Sequence, residues 1–266
     1  MKRISYIILF MLLANTTVGQ MYIHFNTGMS FSTSPYIHRN RVVTDNVIDL
    51  FRIKFNYGNG LNLALSAGYQ INENFSVEFL ASTALFTASS SHHNWEKYFI
   101  HEYDNLHLSG LNGDAKMTNA SVHLAPLLMY SIRLGKIQPY IKAGLNLLSL
   151  RSTYTNDYTY RYVNDQHEPY LERTSLKRLY TGSIHAGFRG NAGLMYQLTD
   201  KLMLSAEFIA VNSAYRFKES ETVRFNVDGS DLLDTLEENP EKFTGDEVMI
   251  DYSHIGFNLG IRYNLK

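Results

Sequence analysis

Two carboxylates and three cations are the residues of this sequence best placed to act on one another. Glu78, Lys142, Arg189, Glu207 and Arg262 each fall on the polar side of a run that alternates apolar with polar residues. His24, His123, His185 and His254 fall on the same side of their own runs. Paired carboxylates serve general acid–base catalysis when a substrate lies between them, but nothing in this spacing supplies one. Gathered away from water, opposite charges must pair. The set reads as a structural charge network; a charged constriction of a narrow pore is the sharper alternative.

Other candidates are weaker. His92 and His93 stand near Trp95, with His101 and His107 beyond. Adjacent residues of an extended chain point in opposite directions, so the pair reads as part of a solvated loop rather than a metal site. Ser91-His92, and Ser183 close to His185, are the local serine–base pairs that a hydrolase would require. The acidic stretch that includes Glu219, Glu221, Asp228, Asp231, Glu237, Glu238 and Asp246 contains Asp-Gly-Ser-Asp, but without the distal glutamate of a calcium loop. There is no cysteine, which removes disulfides, thiolate metal sites and a lipidated cysteine anchor. No cofactor or metal is expected. With 24 basic against 25 acidic residues the chain also lacks the charge excess of a nucleic-acid binder.

The elements that must position these residues are strands of period two. In the first, Ile23, Phe25, Thr27 and Met29 alternate with His24, Asn26 and Gly28. The same pattern recurs at 60–70, 75–85, 119–133, 138–149, 184–197 and from 202, and closes the chain with Ile255, Phe257, Leu259, Ile261 and Tyr263 against Gly256, Asn258, Gly260 and Arg262. Pro126, in the fourth strand, forfeits a ladder donor and is a candidate bulge.

The first 19 residues are of another kind. Lys2 and Arg3 precede an apolar run from Ile4 to Ala14, and Thr17 and Gly19 are the small residues of a cut before Gln20. This is the pattern of a secretory signal peptide, and residues 20–266 are then the mature domain. Removing the leader leaves 22 basic residues against 25 acidic.

Short polar turns centre near residues 72, 135 and 199, so they are 63 and 64 residues apart, and the segments between them are long. An aromatic precedes each turn on the apolar side: Tyr69, Tyr130 and Tyr196, with Tyr263 in the same place on the last strand. Four hairpins of this kind predict an all-β, antiparallel up-and-down barrel of eight strands that crosses a bilayer, apolar outside and polar inside. The short turns and the tyrosine girdle face the periplasm, and the long loops face the exterior. Ten strands result if 47–55 or 223–227 also crosses.

The flanks A-G-Y-Q-I-N-E-N-F-S-V-E and M-Y-Q-L-T-D-K-L-M-L-S-A-E-F, with the terminal I-G-F-N-L-G-I-R-Y, resemble the small bacterial outer-membrane β-barrel superfamily. Its relatives include the OmpA barrel, OmpX, OmpW and PorT-type proteins. The resemblance implies residence in the outer membrane after secretion across the inner one. It implies contact with outer-membrane lipid and lipopolysaccharide, and insertion by the barrel assembly machinery through the C-terminal strand. Many members end on an aromatic, whereas here Asn264, Leu265 and Lys266 follow Tyr263. The expected role is non-enzymatic, structural or surface-interacting, with a protein partner at the long loops. A narrow porin-like solute channel, a lipid-modifying enzyme and a secretion-system accessory barrel are the alternatives.

Overall fold

The computed structural model describes residues 19–33, 36–44, 47–55, 59–86, 89–96, 106–164, 169–235, 241–242 and 249–265. The leader segment 1–18 lies outside them. Eight strands form a closed antiparallel ring: β1 (Gln20–Ser32), β2 (Gly60–Gln70), β3 (Phe75–Phe86), β4 (Leu106–Ser131), β5 (Ile137–Asn164), β6 (His185–Gln197), β7 (Leu202–Asn212) and β8 (His254–Asn264). Each pairs with its neighbour in sequence. The ring is shut by β1 on β8, through eleven residue pairs from Tyr22 opposite Asn264 to Ser32 opposite His254. Among the described residues no helix is long and apolar enough to cross a membrane.

The alternation in the sequence becomes two surfaces. Outside lie Phe25, Leu65, Phe79, Leu128, Ile141, Phe208 and Leu259, all solvent-exposed in the isolated chain. Inside lie His24, Glu78, His123, Lys142, Arg189, Glu207 and Arg262, all buried. A belt of large apolar side chains around the whole circumference far exceeds the patches a soluble monomer shows, and calls for hydrocarbon around it.

The short turns are held by side chains. Asn72 accepts from the backbone N–H of Asn74 and of Phe75, at 2.9 and 2.8 Å. Thr199 does the same for Lys201 and Leu202, at 3.3 and 3.0 Å. Gly135 supplies the left-handed conformation of the middle turn, with φ of 63°. Tyr69, Tyr130, Tyr196 and Tyr263 ring this end on the outer face.

At the opposite end the ladders do not stop at the belt. β4 and β5 run for 26 and 28 residues and stay paired from Ser131 opposite Tyr140 to Leu106 opposite Asn164. Beside β5 stands the strand Pro169–Gly182, and beside that Ala214–Val227. These four form a wall that rises from one half of the barrel. The segment 47–55 pairs with 36–44 in a separate ribbon, and 223–227 belongs to the wall, so neither adds to the eight-membered ring. The bulge anticipated at Pro126 does not form. The register continues unshifted past it on both sides, and the irregularity of the β4–β5 ladder falls between Leu108 and Gly110. The β4–β5 ladder skips Ala125 and Pro126 and resumes in the same register at Leu127 opposite Gly144. A Cβ on Gly144 would lie 2.0 Å from the Pro126 carbonyl oxygen, so the two backbones run close together there.

Arginine placed at Leu259, midway along β8 on the outer face, is expected to cost ~2–4 kcal/mol, against ~0–1 kcal/mol for charge at a girdle position such as Tyr263. Reversible denaturant unfolding in lipid vesicles measures both, and equal costs would contradict the facing described here.

Candidate functional site

The barrel interior is the site the sequence singled out, and its middle layer is a compact charged cluster. Lys142, from β5, lies 2.9 Å from Oε1 of Glu78 on β3 and 3.6 Å from Oε2 of Glu207 on β7, with all three side chains inaccessible to solvent. Tyr22 donates to the other Glu78 oxygen at 3.0 Å, and Tyr140 donates to Oε2 of Glu207 at 3.0 Å. Asn258 donates to Oε1 of Glu207 at 3.2 Å. Each of the four carboxylate oxygens therefore has a donor. That is the condition under which buried charge is tolerated.

The lysine also reaches Nδ1 of His24 at 3.4 Å. An ammonium has no acceptor, so Nδ1 must accept and the His24 proton sits on Nε2. From there it is donated to Ser205, 2.7 Å away, whose hydroxyl passes on to Asn26 at 3.3 Å. The cluster ties strands β1, β3, β5, β7 and β8 across the lumen.

Of the five charges, Lys142, Glu78 and Glu207 are in direct contact, and the two arginines act on the carboxylates from farther away. The Arg262 guanidinium lies over the Tyr22 ring, 3.5 Å from the centroid, rather than against a carboxylate. It donates to Asn264 at 2.9 Å and approaches the Met195 sulfur at 3.8 Å. It sits at the girdle end, among Tyr22, Met129, Tyr140, Met195 and Met203, which pack as an apolar floor. Arg189 stands apart from the lysine cluster, donating to Asn191 and to Ser82 on the far wall, each at 3.2 Å. Parity along a strand assigns a face but not a depth, and strand tilt moves residues of one face to different heights.

Sequence reasoning missed the residues that complete the site. Tyr22 shares the parity of His24, and Tyr140 that of Lys142, so the signal was available in the alternation itself. It also missed a second core at the external mouth. Met117, Leu148, Leu150, Tyr158, Tyr215, Phe217, Ile250 and Tyr252 pack together there. Tyr215 donates to the Leu150 carbonyl at 2.8 Å, and Tyr252 donates to Ser121 at 3.0 Å. Above it β5 is rich in tyrosine, with Tyr154, Tyr158, Tyr160 and Tyr162. Tyr158, Tyr160 and Tyr162 follow one another up the inner face of the wall with ring centroids 6.2 Å apart, and Tyr162 faces Tyr170 across the ladder at the same spacing. Burial first, then the Glu172 charge, pushes the Tyr162 phenol up to about 12, so this ladder presents hydroxyls rather than phenolates.

The remaining candidates are occupied or outside view. Ser183 lies 3.4 Å from Nε2 of His185, but that nitrogen also accepts the Arg216 N–H at 3.4 Å. Asp228 and Gly229, with φ of 49° and 84°, form a two-residue hairpin turn. The Asp228 carboxylate accepts from the Arg173 N–H and from the Tyr170 hydroxyl, while Asp231 accepts from the Leu233 N–H. No group of residues able to hold a metal occurs among the described residues. His92 and His93 pair through backbone with Asp114 and Gly113. His101, Glu237, Glu238 and Asp246 lie outside the described residues.

Replacing Lys142 by Met strands two buried carboxylates and is expected to cost ~3–5 kcal/mol. Adding Glu78→Gln and Glu207→Gln to that variant should recover most of the loss. Denaturant unfolding of the single and triple variants in vesicles measures the difference. A single variant as stable as the parent would show that the three charges do not depend on one another.

Comparison with known proteins agrees with the architecture. No curated protein matches the sequence. Among solved structures, Neisserial surface protein A is 11% identical, with 92% of this chain and 97% of that one covered and a TM-score of 0.42. Ail, the attachment invasion locus protein of Yersinia pestis, is 13% identical, with 93% and 99% covered and a TM-score of 0.30. The outer membrane protease OmpT of Escherichia coli is 10% identical, with 94% and 99% covered and a TM-score of 0.37. Likenesses at this level carry no argument about role, and these three differ in what their names say they do. The family model described as outer membrane protein beta-barrel domain matches residues 11–232. With that match over most of its length, the chain belongs to the outer-membrane β-barrel family and is a protein of the outer membrane.

Proposed function

We propose that the protein is a closed, non-conducting outer-membrane barrel that works through its external wall, in a non-enzymatic surface-interaction role. One observation carries the reading: the ladders of β4 and β5 continue beyond the apolar belt into a wall whose inner face bears the tyrosine ladder. Tyrosine offers apolar area together with a hydroxyl, at little cost in side-chain freedom, and suits a contact surface. A rigid sheet continuous with the barrel presents that surface without the ordering penalty of a mobile loop.

The lumen supports the same reading. Its middle layer is filled by Glu78, Lys142, Glu207 and their partners, with an apolar layer on either side. Such a stack leaves no continuous path for hydrated solute, which weighs against the channel alternative. Among the described residues the serine–histidine contacts are engaged otherwise, which weighs against the enzyme alternative: the Ser205 hydroxyl donates to Asn26, Ser121 accepts from Tyr252, and the His185 nitrogen beside Ser183 is shared with a backbone donor.

Purified, refolded protein in planar bilayers is expected to give no steady conductance, and regular current steps would overturn the closed-barrel reading. A variant in which 153–179 is replaced by Asn-Gly should keep the heat-dependent gel shift of a folded barrel. It should also lose the proteins or glycolipids that co-purify with the parent after gentle detergent extraction. An unchanged set of companions would place the interaction elsewhere than the wall.

A further inference from the structure

The lumen holds more positive than negative charge. Among its described residues Lys142, Arg189 and Arg262 face inward, against Glu78 and Glu207. Both carboxylates are taken up around Lys142, and the Arg262 guanidinium is spread over the Tyr22 ring. Arg189 has no such contact: Glu207 and Glu78 act on it only from beyond ion-pair distance. It is 2% exposed. Its Nε donates to Asn191 Oδ1 and its Nη1 to Ser82 Oγ, both neutral acceptors, while Nη2 is buried with no hydrogen-bond partner. A guanidinium cannot shed its proton, so it cannot escape the cost of burial by becoming neutral. The three buried cations exceed the two carboxylates by one charge, and the open donor at Nη2 is where an anion would meet it.

We propose that the lumen layer at Arg189 binds a small monovalent inorganic anion of the halide class. The site is the unpartnered Nη2 of Arg189, together with the hydroxyl of Ser82. That hydroxyl accepts from Nη1 through an oxygen lone pair and keeps its own proton to donate. Charge sets the valence, because one negative charge balances three cations against two carboxylates. Size sets the class. An eight-stranded barrel is just wide enough for its side chains, and here His123 lies directly across the β3–β4 ladder from Ser82, with the His254 ring edge-on to it at 5.7 Å. A halide needs less room there than a phosphate, which brings four oxygens and a second charge. The proposal does not depend on what the external wall contacts.

The probe is bromide. Crystals of the full mature chain grown or soaked in bromide are expected to show an anomalous peak within hydrogen-bonding distance of Arg189 Nη2. In solution, at constant ionic strength, the thermal unfolding midpoint should be higher in chloride or bromide than in gluconate, which is too large to enter. Arg189→Met should remove both effects, and Arg262→Met should keep the peak at Arg189. Diffraction from the parent protein needs no variant to fold, so a misfolded Arg189→Met leaves the test intact. A water or a carboxylate of an external loop seated on Nη2 in place of bromide would overturn the proposal. So would a halide effect on the midpoint that is equal in the parent and in Arg189→Met.

Discussion

Everything in this molecule depends on the seam between β1 and β8. Within hydrocarbon no water satisfies a backbone N–H or C=O, and a sheet with an open edge would leave a row of them unpaired at several kcal/mol each. The eleven pairs between Tyr22–Ser32 and His254–Asn264 abolish that edge. Closure also forces the interior. Once the ring is shut at eight strands, every second side chain is pushed into a space barely wide enough to hold it. The polar residues that alternation places there must satisfy one another.

The charged layer shows how they do so. Lys142 is shared by two carboxylates; Tyr22 and Asn258 cover the oxygens it leaves, and Tyr140 joins it on Oε2 of Glu207. These partners come from strands on several sides of the ring, so the cluster braces the barrel across its width as the backbone ladder braces it around its circumference. Above and below, layers built from Tyr215, Phe217 and Tyr252 and from Met129, Met195 and Met203 keep water from the charges. That shielding strengthens the pairing and raises the cost of breaking it.

The strand count, the facing of each residue, the short turns and the girdle were all legible in the sequence, because period two and turn chemistry are local properties. Depth was not. Arg262 was assigned the correct face, yet it stacks on Tyr22 instead of meeting a carboxylate, since the height at which strands meet depends on a stagger that no single strand encodes. The wall was only half visible. Residues 153–162 alternate between Tyr or Asn and Thr, Arg or Asp, so both faces carry polar groups and the contrast that marks a membrane strand is gone. The ladder that keeps them extended is supplied by their neighbours. Pro126 illustrates the converse, a local warning overridden because adjacent strands hold the register on both sides.

The unbroken course of β5 has a consequence for how the protein can change length. Lys142 in the lumen and Tyr154, Tyr158, Tyr160 and Tyr162 on the wall are all even-numbered residues of one strand, and all face inward. The phase of the outermost tyrosine is therefore set by the buried lysine, through about twenty residues of uninterrupted pleat. Additions or losses of two residues, matched on the opposing strands, raise or lower the wall and leave each face as it was. A single-residue change turns the tyrosines outward above that point and exposes the mouth core, while the seam and the lumen below remain intact. The barrel acts as a fixed reference from which the external surface can be lengthened or shortened only in paired steps.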